Sequence, residues 1–229
     1  MWASQQNKKF ADNCKYLVWK VTGESLVFYR AWGKRFCKGC TPWCLKHCYM
    51  NLKEFLKDKR EFLANYLPKY DSAKDTYCRE FLYFNNKDMP FHNDLSRAKY
   101  VTFFGSGTII EKNDVDFITK TIKYYPNKIY RIFTRDLEFI EELYGQQIIF
   151  SADVDTDKKL LEKALKNKNV NIAVLNHQDN AELIKELKSK IKTVIECSKC
   201  LAGECKHLCF YEGNKHLLLE NYEEVLISD

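Results

Sequence analysis

Glycine and proline are scarce in this chain of 229 residues, at 8 and 4, which argues against long linkers and low-complexity disorder. No apolar run approaches the roughly 20 residues that a bilayer-crossing helix needs. Residues 1–20 carry lysines but no uninterrupted apolar stretch of the kind a secretory signal has. Extreme charge is lacking as well: a net charge of +6 permits contact with nucleic acid or another polyanion without demanding it. A hydrophobic share of 45% with 30% charged residues is ordinary for a globular protein. The length suits one medium α/β domain or two small ones. The expectation is an intracellular, cytoplasmic protein with no membrane partner.

Cysteine is what the chain has in excess, ten residues in all. Cys14 and Cys78 are isolated and read as ordinary semi-buried thiols. The other eight form two groups, Cys37, Cys40, Cys44 and Cys48, then Cys197, Cys200, Cys205 and Cys209. Their spacings are C-x2-C-x3-C-x3-C and C-x2-C-x4-C-x3-C. An intracellular chain of this size does not need disulfides to hold its core. Thiolates this close in sequence can converge instead on one metal ion or one iron–sulfur cluster. Four thiolates bind Zn²⁺ tetrahedrally or hold a [4Fe–4S] cube, whereas three leave one iron open to substrate or cofactor. Zinc ribbons pair two C-x2-C knuckles, and the first group has one knuckle and two wider gaps, which favours iron–sulfur. His47 and His207 sit inside the groups as substitute ligands.

The hydrophobic pattern organises the rest. Residues 16–32 read as a hairpin turning at Thr22-Gly23-Glu24-Ser25. Leu52, Phe55, Leu56, Phe62, Leu63, Tyr66 and Leu67 recur at helical spacing before Pro68, and a second helix is expected over 73–84. From residue 99 a β/α rhythm begins. Strands are expected at 100–104, 128–133, 147–150, 170–175 and 192–195. The helices between them are one capped by Asn113, one running through Leu143, and two near 157–167 and 180–189. Five strands alternating with four helices predict a parallel sheet with right-handed crossovers and a ligand site at the C-terminal strand ends. The second cysteine group follows the last of these strands by two residues, so it belongs at that edge too.

Three cysteines on a loop ending in Cys48-Tyr49, after a first strand and before a β/α series, resemble the radical S-adenosylmethionine (SAM) fold. More closely, Val21-Thr-Gly23, Cys37, Thr41-Pro42-x-Cys44 and x3-Cys48-Tyr49 resemble the phage gene product 88 domain family, radical-SAM-like iron–sulfur proteins. Phe103-Phe-Gly-Ser-Gly107, Phe133-Thr134-Arg135 and the C-terminal cysteines extend the likeness over residues 20–212. The sequence departs from the usual C-x3-C-x2-C of radical SAM enzymes, and it lacks the acidic residue that follows their glycine-rich turn. The family-like set is Cys37, Cys44 and Cys48, with Cys40 as an additional thiolate.

The resemblance implies a single α/β domain over 1–212, like a partial TIM barrel, followed by a tail segment over 213–229. It implies an iron–sulfur protein encoded by a virus or mobile element. The first cysteines would hold a [4Fe–4S] centre, and Cys197, Cys200, Cys205 and Cys209 an auxiliary cluster or structural metal. SAM would chelate an open iron and yield a 5′-deoxyadenosyl radical that abstracts hydrogen from an unspecified substrate. Gly105, Ser106 and Gly107 would admit the SAM amino group, and Thr134, Arg135, Ser151, Asp153, Asn176 and His177 would line the pocket.

Plainer readings stand beside these. Arg135 and Asp136 suit helix-start electrostatics, Asp153 and Asp155 suit caps of the following helix, and His177 suits a loop. Lys8, Lys9, Lys15, Lys20, Arg30, Lys34, Arg35, Lys38 and Lys46 interleave with Trp2, Phe10, Tyr16, Trp19, Tyr29 and Trp32. That mixture fits single-stranded nucleic acid or simply a solvated hairpin. The competing functions are therefore a zinc- or cluster-stabilised module binding nucleic acid, and a redox or electron-transfer protein with saturated clusters.

Overall fold

The computed structural model describes residues 18–29, 37–48, 90–105, 108–109, 112–143, 146–197 and 215–220. The expected helices at 52–67 and 73–84, Tyr49, Cys14 and Cys78 lie outside these residues. Strands β1 (Val18–Thr22) and β2 (Ser25–Tyr29) form the expected hairpin, with Thr22 opposite Ser25. Gly23 makes the turn at φ +56, a backbone that favours glycine.

Helices α1 (Pro42–Lys46) and α2 (Pro90–Arg97) precede β3 (Tyr100–Phe103), and α3 (Lys112–Tyr124) leads to β4 (Ile129–Thr134). Then come β5 (Gln147–Ala152), α4 (Lys158–Lys166), β6 (Val170–Leu175), α5 (Ala181–Lys190) and β7 (Thr193–Cys197). All five strands of the expected β/α series are present. A further strand, β8 (His216–Glu220), lies inside the segment expected to be a tail.

The eight strands form one sheet in the order β1-β2-β3-β4-β5-β6-β8-β7. Strands β2 to β8 are mutually parallel and only β1 runs against its neighbour. Among the described residues the sheet is open, with β1 and β7 as its edges. β8 inserts between β6 and β7, where the Asn171 side-chain carbonyl accepts the His216 N–H at 2.9 Å. His216–Glu220 escapes a sequence reading because three leucines in a row carry neither a helical nor a strand period.

Strand alternation sorts the side chains into two faces. Leu26, Phe28, Val101, Phe103, Tyr130, Ile132, Ile148, Phe150, Val170, Ile172, Leu217 and Leu219 bury against Leu95, Val115, Ile118, Leu161, Ala164, Ile184 and Leu187 of the helices. Each fully buried aliphatic there contributes about 1.5–3 kcal/mol. Phe28 and Phe103 stack at 5.4 Å, and Phe117 of α3 meets both edge-on. The opposite face holds a smaller apolar group, Ile149, Ala173 and Leu218, without helix residues among those described. It also buries polar groups: Arg131 donates from Nε to the Thr102 hydroxyl at 2.7 Å and lies over the Phe133 ring.

Two local expectations change. The helix expected through Leu143 is a short 3₁₀ turn, Ile140–Leu143. Buried Leu137, Ile140 and Leu143 recur every three residues, the 3₁₀ period, which so short a segment does not distinguish from 3.6. Asn113 falls inside the first turn of α3 rather than ahead of it.

Candidate metal centre

Parallel strands bring all their C-terminal ends to one edge, and the first cysteine loop sits on it. Cys37 and Cys40 are linked through a tight turn, with Cys40 N donating to Cys37 O at 2.9 Å. Gly39 makes that turn possible at φ +78, and a Cβ there would lie 2.5 Å from the Arg135 carbonyl oxygen. Only glycine lets the loop press onto the end of β4 this closely. Thr41 then caps α1, its hydroxyl accepting the Cys44 N–H at 3.0 Å.

Carboxylates beyond the strand ends fasten this loop. Asp153, after β5, accepts from the Thr41 hydroxyl and from Arg135 Nη1, both at 2.6 Å on Oδ2. Asp155 accepts the Trp43 backbone N–H at 2.9 Å, and Asp179, beyond β6, accepts the Trp43 indole N–H at 3.0 Å. Lys38 pairs with Asp136 at 2.9 Å and also with Glu138. Asp153 and Asp155 therefore do not cap the next helix; Asp157 does, accepting from Leu160 N at 3.0 Å. Their fragment, Asp-x-Asp-x-Asp, offers three candidate caps, and only the one adjoining α4 serves as its cap.

Within this frame Cys40 stands between two other thiols, although no three of the described cysteines close to within 4.8 Å of one another. Cys40 shares hydrogen bonds with both Cys37 and Cys44. The bond with Cys37, above all, raises the Cys40 pKa to about 11, while the bond with Cys44 and the Arg135 charge pull the other way. Cys44 is raised further, first by its bond with Cys40 and then by burial, against the same guanidinium. Burial works against the Arg135 charge, yet Cys44 and Asp153 outweigh it and hold the pKa above the usual value. Cys48 is half-buried just past α1. Cys40 and Cys44 are therefore thiols at neutral pH when no metal is bound, and a soft cation gains them by displacing protons.

The other sequence-derived candidates divide. Thr134 is buried and committed to structure, sharing a 2.9 Å hydrogen bond with Thr108 and donating to the Asp136 carbonyl. Arg135 and Asp153 form the buried ion pair under the loop. Ser151 is half-buried in β5, with its side chain on the face away from the helices. Asn176 donates its N–H to the Glu220 carbonyl at 2.8 Å, tying β6 to β8. Gly105 donates to the Phe28 carbonyl at 2.9 Å, after Phe104 at φ +59, a strained backbone for a bulky residue. Ser106 and Gly107 lie outside the described residues.

Of the second cysteine group, Cys197 is the last residue of β7, opposite Glu220, so it lies on the same edge as the first group. It stands two strands from β6, roughly 10 Å along the sheet. Cys200, Cys205, Cys209 and His207 lie outside the described residues, as does most of the basic, aromatic N-terminal region. Lys38, counted with that region, is occupied by Asp136 and Glu138.

Sequence reasoning missed the aromatic cluster beside the thiols. Trp43 stacks on His47 at 4.4 Å, and His47 meets His177 at 4.6 Å. The sequence named His47 as a substitute ligand and His177 as a pocket residue, but their meeting has no signal there beyond Trp43 and His47 lying four apart on one helical face.

No helix among the described residues is long and apolar enough to cross a membrane. No protein-family model, curated protein or solved structure matches the chain.

Proposed function

We propose that the chain is an iron–sulfur protein of the radical-SAM-like type, whose first cysteine loop holds a [4Fe–4S] centre at the C-terminal edge of the sheet. The observation that carries this reading is Cys40 set between the Cys37 and Cys44 thiols, beside the Arg135–Asp153 pair. The donor set fits the group: soft sulfur ligands, a loop seated by a glycine, and a fixed positive charge next to an anionic thiolate cluster.

The sheet supports the same reading. Strands β2 to β6 follow one another in space as in sequence, and the described helices bury on one face only. In this proposal β2 to β6 act as the strands of a partial TIM barrel, with the ligand on the face that the described helices leave uncovered. In the catalytic form of this proposal, Cys37, Cys44 and Cys48 are the cluster ligands and Cys40 is a supporting thiol. A bound centre with an open iron supplies one electron and a chelation point for the amino and carboxylate groups of SAM. Arg135 balances the cluster's negative charge and anchors Asp153, which orients the loop through Thr41. Gly105 follows β3 at the same edge with its N–H given to the Phe28 carbonyl, so its own carbonyl is the backbone group assigned to the SAM amino group. The C-terminal cysteines, beginning at Cys197, are assigned to an auxiliary cluster or structural metal.

The test is metal and sulfide analysis of anaerobically purified protein, with EPR of the reduced sample before and after SAM. About four irons or more with acid-labile sulfide, and a signal altered by SAM, is the expected result. Iron and sulfide with a spectrum indifferent to SAM would make it a redox protein with saturated clusters. Near-stoichiometric zinc without sulfide would leave a zinc-stapled module.

A further inference from the structure

Beside the thiols lies a second convergence of ligand atoms, of different chemistry. His47 follows α1 directly, and His177 and Asp179 come from the loop that leaves β6. One ligand atom from each lies within 4.8 Å of the other two, the one such group among the described residues. His47 Nε2 is 3.7 Å and His177 Nδ1 is 3.4 Å from Asp179 Oδ2. Nitrogen and oxygen ligands about 2.0–2.1 Å from a tetrahedral ion stand about 3.3–3.4 Å apart. The two nitrogen–oxygen spacings are within a few tenths of an ångström of that, and the two imidazoles offer nitrogens within 4.8 Å of each other.

We propose that His47, His177 and Asp179 form a mononuclear site for a divalent cation of the zinc type, separate from the thiols. Two imidazoles and a carboxylate make a borderline donor set that suits Zn²⁺ or Co²⁺ and leaves a fourth position for water. The surroundings orient the ligands as in built metal sites. The Trp43 indole N–H fixes the Asp179 carboxylate, and the rings are held by Trp43 stacking on His47 and meeting His177 edge-on, with His47 tilted against His177. His177 Nδ1 accepts the Asp179 backbone N–H at 3.1 Å, so its lone pair already points toward the Asp179 segment. An ion takes over that lone pair on binding. The site would rivet α1, and with it the cysteine loop, to the end of β6. This assignment does not rest on what the thiols hold.

Cobalt separates the two sites, because thiolate ligation gives an intense near-ultraviolet charge-transfer band and nitrogen–oxygen ligation does not. Co²⁺ is titrated anaerobically into the full metal-free chain, into His177→Ala and into Asp179→Asn. The amide introduced by Asp179→Asn retains an acceptor for Trp43, so this variant decides if His177→Ala fails to fold by circular dichroism. The expected result is one equivalent of cobalt with weak visible bands and no charge-transfer band, weakened at least about tenfold in each variant. The charge-transfer equivalents should be unchanged. Uptake in the variants equal to the native chain, or charge transfer accompanying all bound cobalt, overturns the proposal. A missing iron–sulfur cluster would leave this result untouched and would show instead in the sulfide analysis.

Discussion

Lys215, at the N-terminal edge of the sheet, donates from one ammonium to three carbonyls at the end of α4: Ala164, Leu165 and Asn167, at 2.5, 3.0 and 2.8 Å. Arg135, at the opposite edge, gives its guanidinium to Asp153 and lies beside the Cys40 and Cys44 thiols. Both cations are withdrawn from water, but they do different work. At the N-terminal edge the polar groups finish helices: Tyr130 donates its hydroxyl to the Tyr125 carbonyl beyond α3, and Lys128 donates to the Ser96 carbonyl. At the C-terminal edge they hold a loop that began outside the sheet, through Asp153, Asp155 and Asp179. A helix-finishing edge supports stability alone, whereas a loop-holding edge couples stability to whatever the loop binds.

Variants at the two edges should therefore separate metal content from stability. The largest effect is expected for Arg135→Met, which leaves Asp153 buried without its counter-charge and should cost about 3–5 kcal/mol in urea unfolding. The same variant should lose most of its metal after anaerobic reconstitution. Metal content equal to the native chain would break the comparison. Gly39→Ala should follow, at about 1–3 kcal/mol from the left-handed backbone, with the clash on the Arg135 carbonyl added. Its metal content should fall while the sheet survives, read by far-ultraviolet circular dichroism.

Lys215→Met tests the other edge and should cost about 1–2 kcal/mol at neutral pH with metal content unchanged. Burial pulls the Lys215 pKa down to about 8, from 10.5, while the three carbonyls act against that pull by binding the ammonium. Between these values the unfolded chain binds the more protons, so this group makes native stability rise with pH from 8 toward 10.5. Lys215→Met should lack that rise, so its deficit against the native chain widens across the window, in urea melts at stepped pH. Thr41→Val, the smallest change, removes the cap of α1 and the donor to Asp153. It should cost about 1 kcal/mol and lower metal affinity measurably, whereas an equal loss at the N-terminal edge should not.

Much of this architecture is legible from local pattern. Residues 170–175 and 147–150 read as strands because short, mostly apolar runs bounded by polar loops suit a sheet buried on both faces, and the second extends to Ala152 in the structure. The strand ends then put Arg135 and Asp153 on the C-terminal edge before any contact is known. Asp155, Asp179 and Trp43 are another matter. Asp155 looks like a helix cap and Asp179 like a loop residue, and nothing nearby in sequence says that they grip a residue 112 or 136 positions earlier. Gly39 likewise looks like any turn glycine until the Arg135 carbonyl is found against it.

Local pattern was enough for the hairpin, the β/α alternation and the edge at which the second cysteine group begins. These follow from hydrophobic period and thiol spacing, which act over a few residues. It took the folded chain to slot β8 between β6 and β7, to make Cys197 the end of a strand, and to set Cys40 between Cys37 and Cys44. Folding also brought His47 to His177 and Asp179. Such pairings depend on which segments remain to cover one another once the sheet has formed, and that choice is made by packing across the whole chain rather than by any local preference.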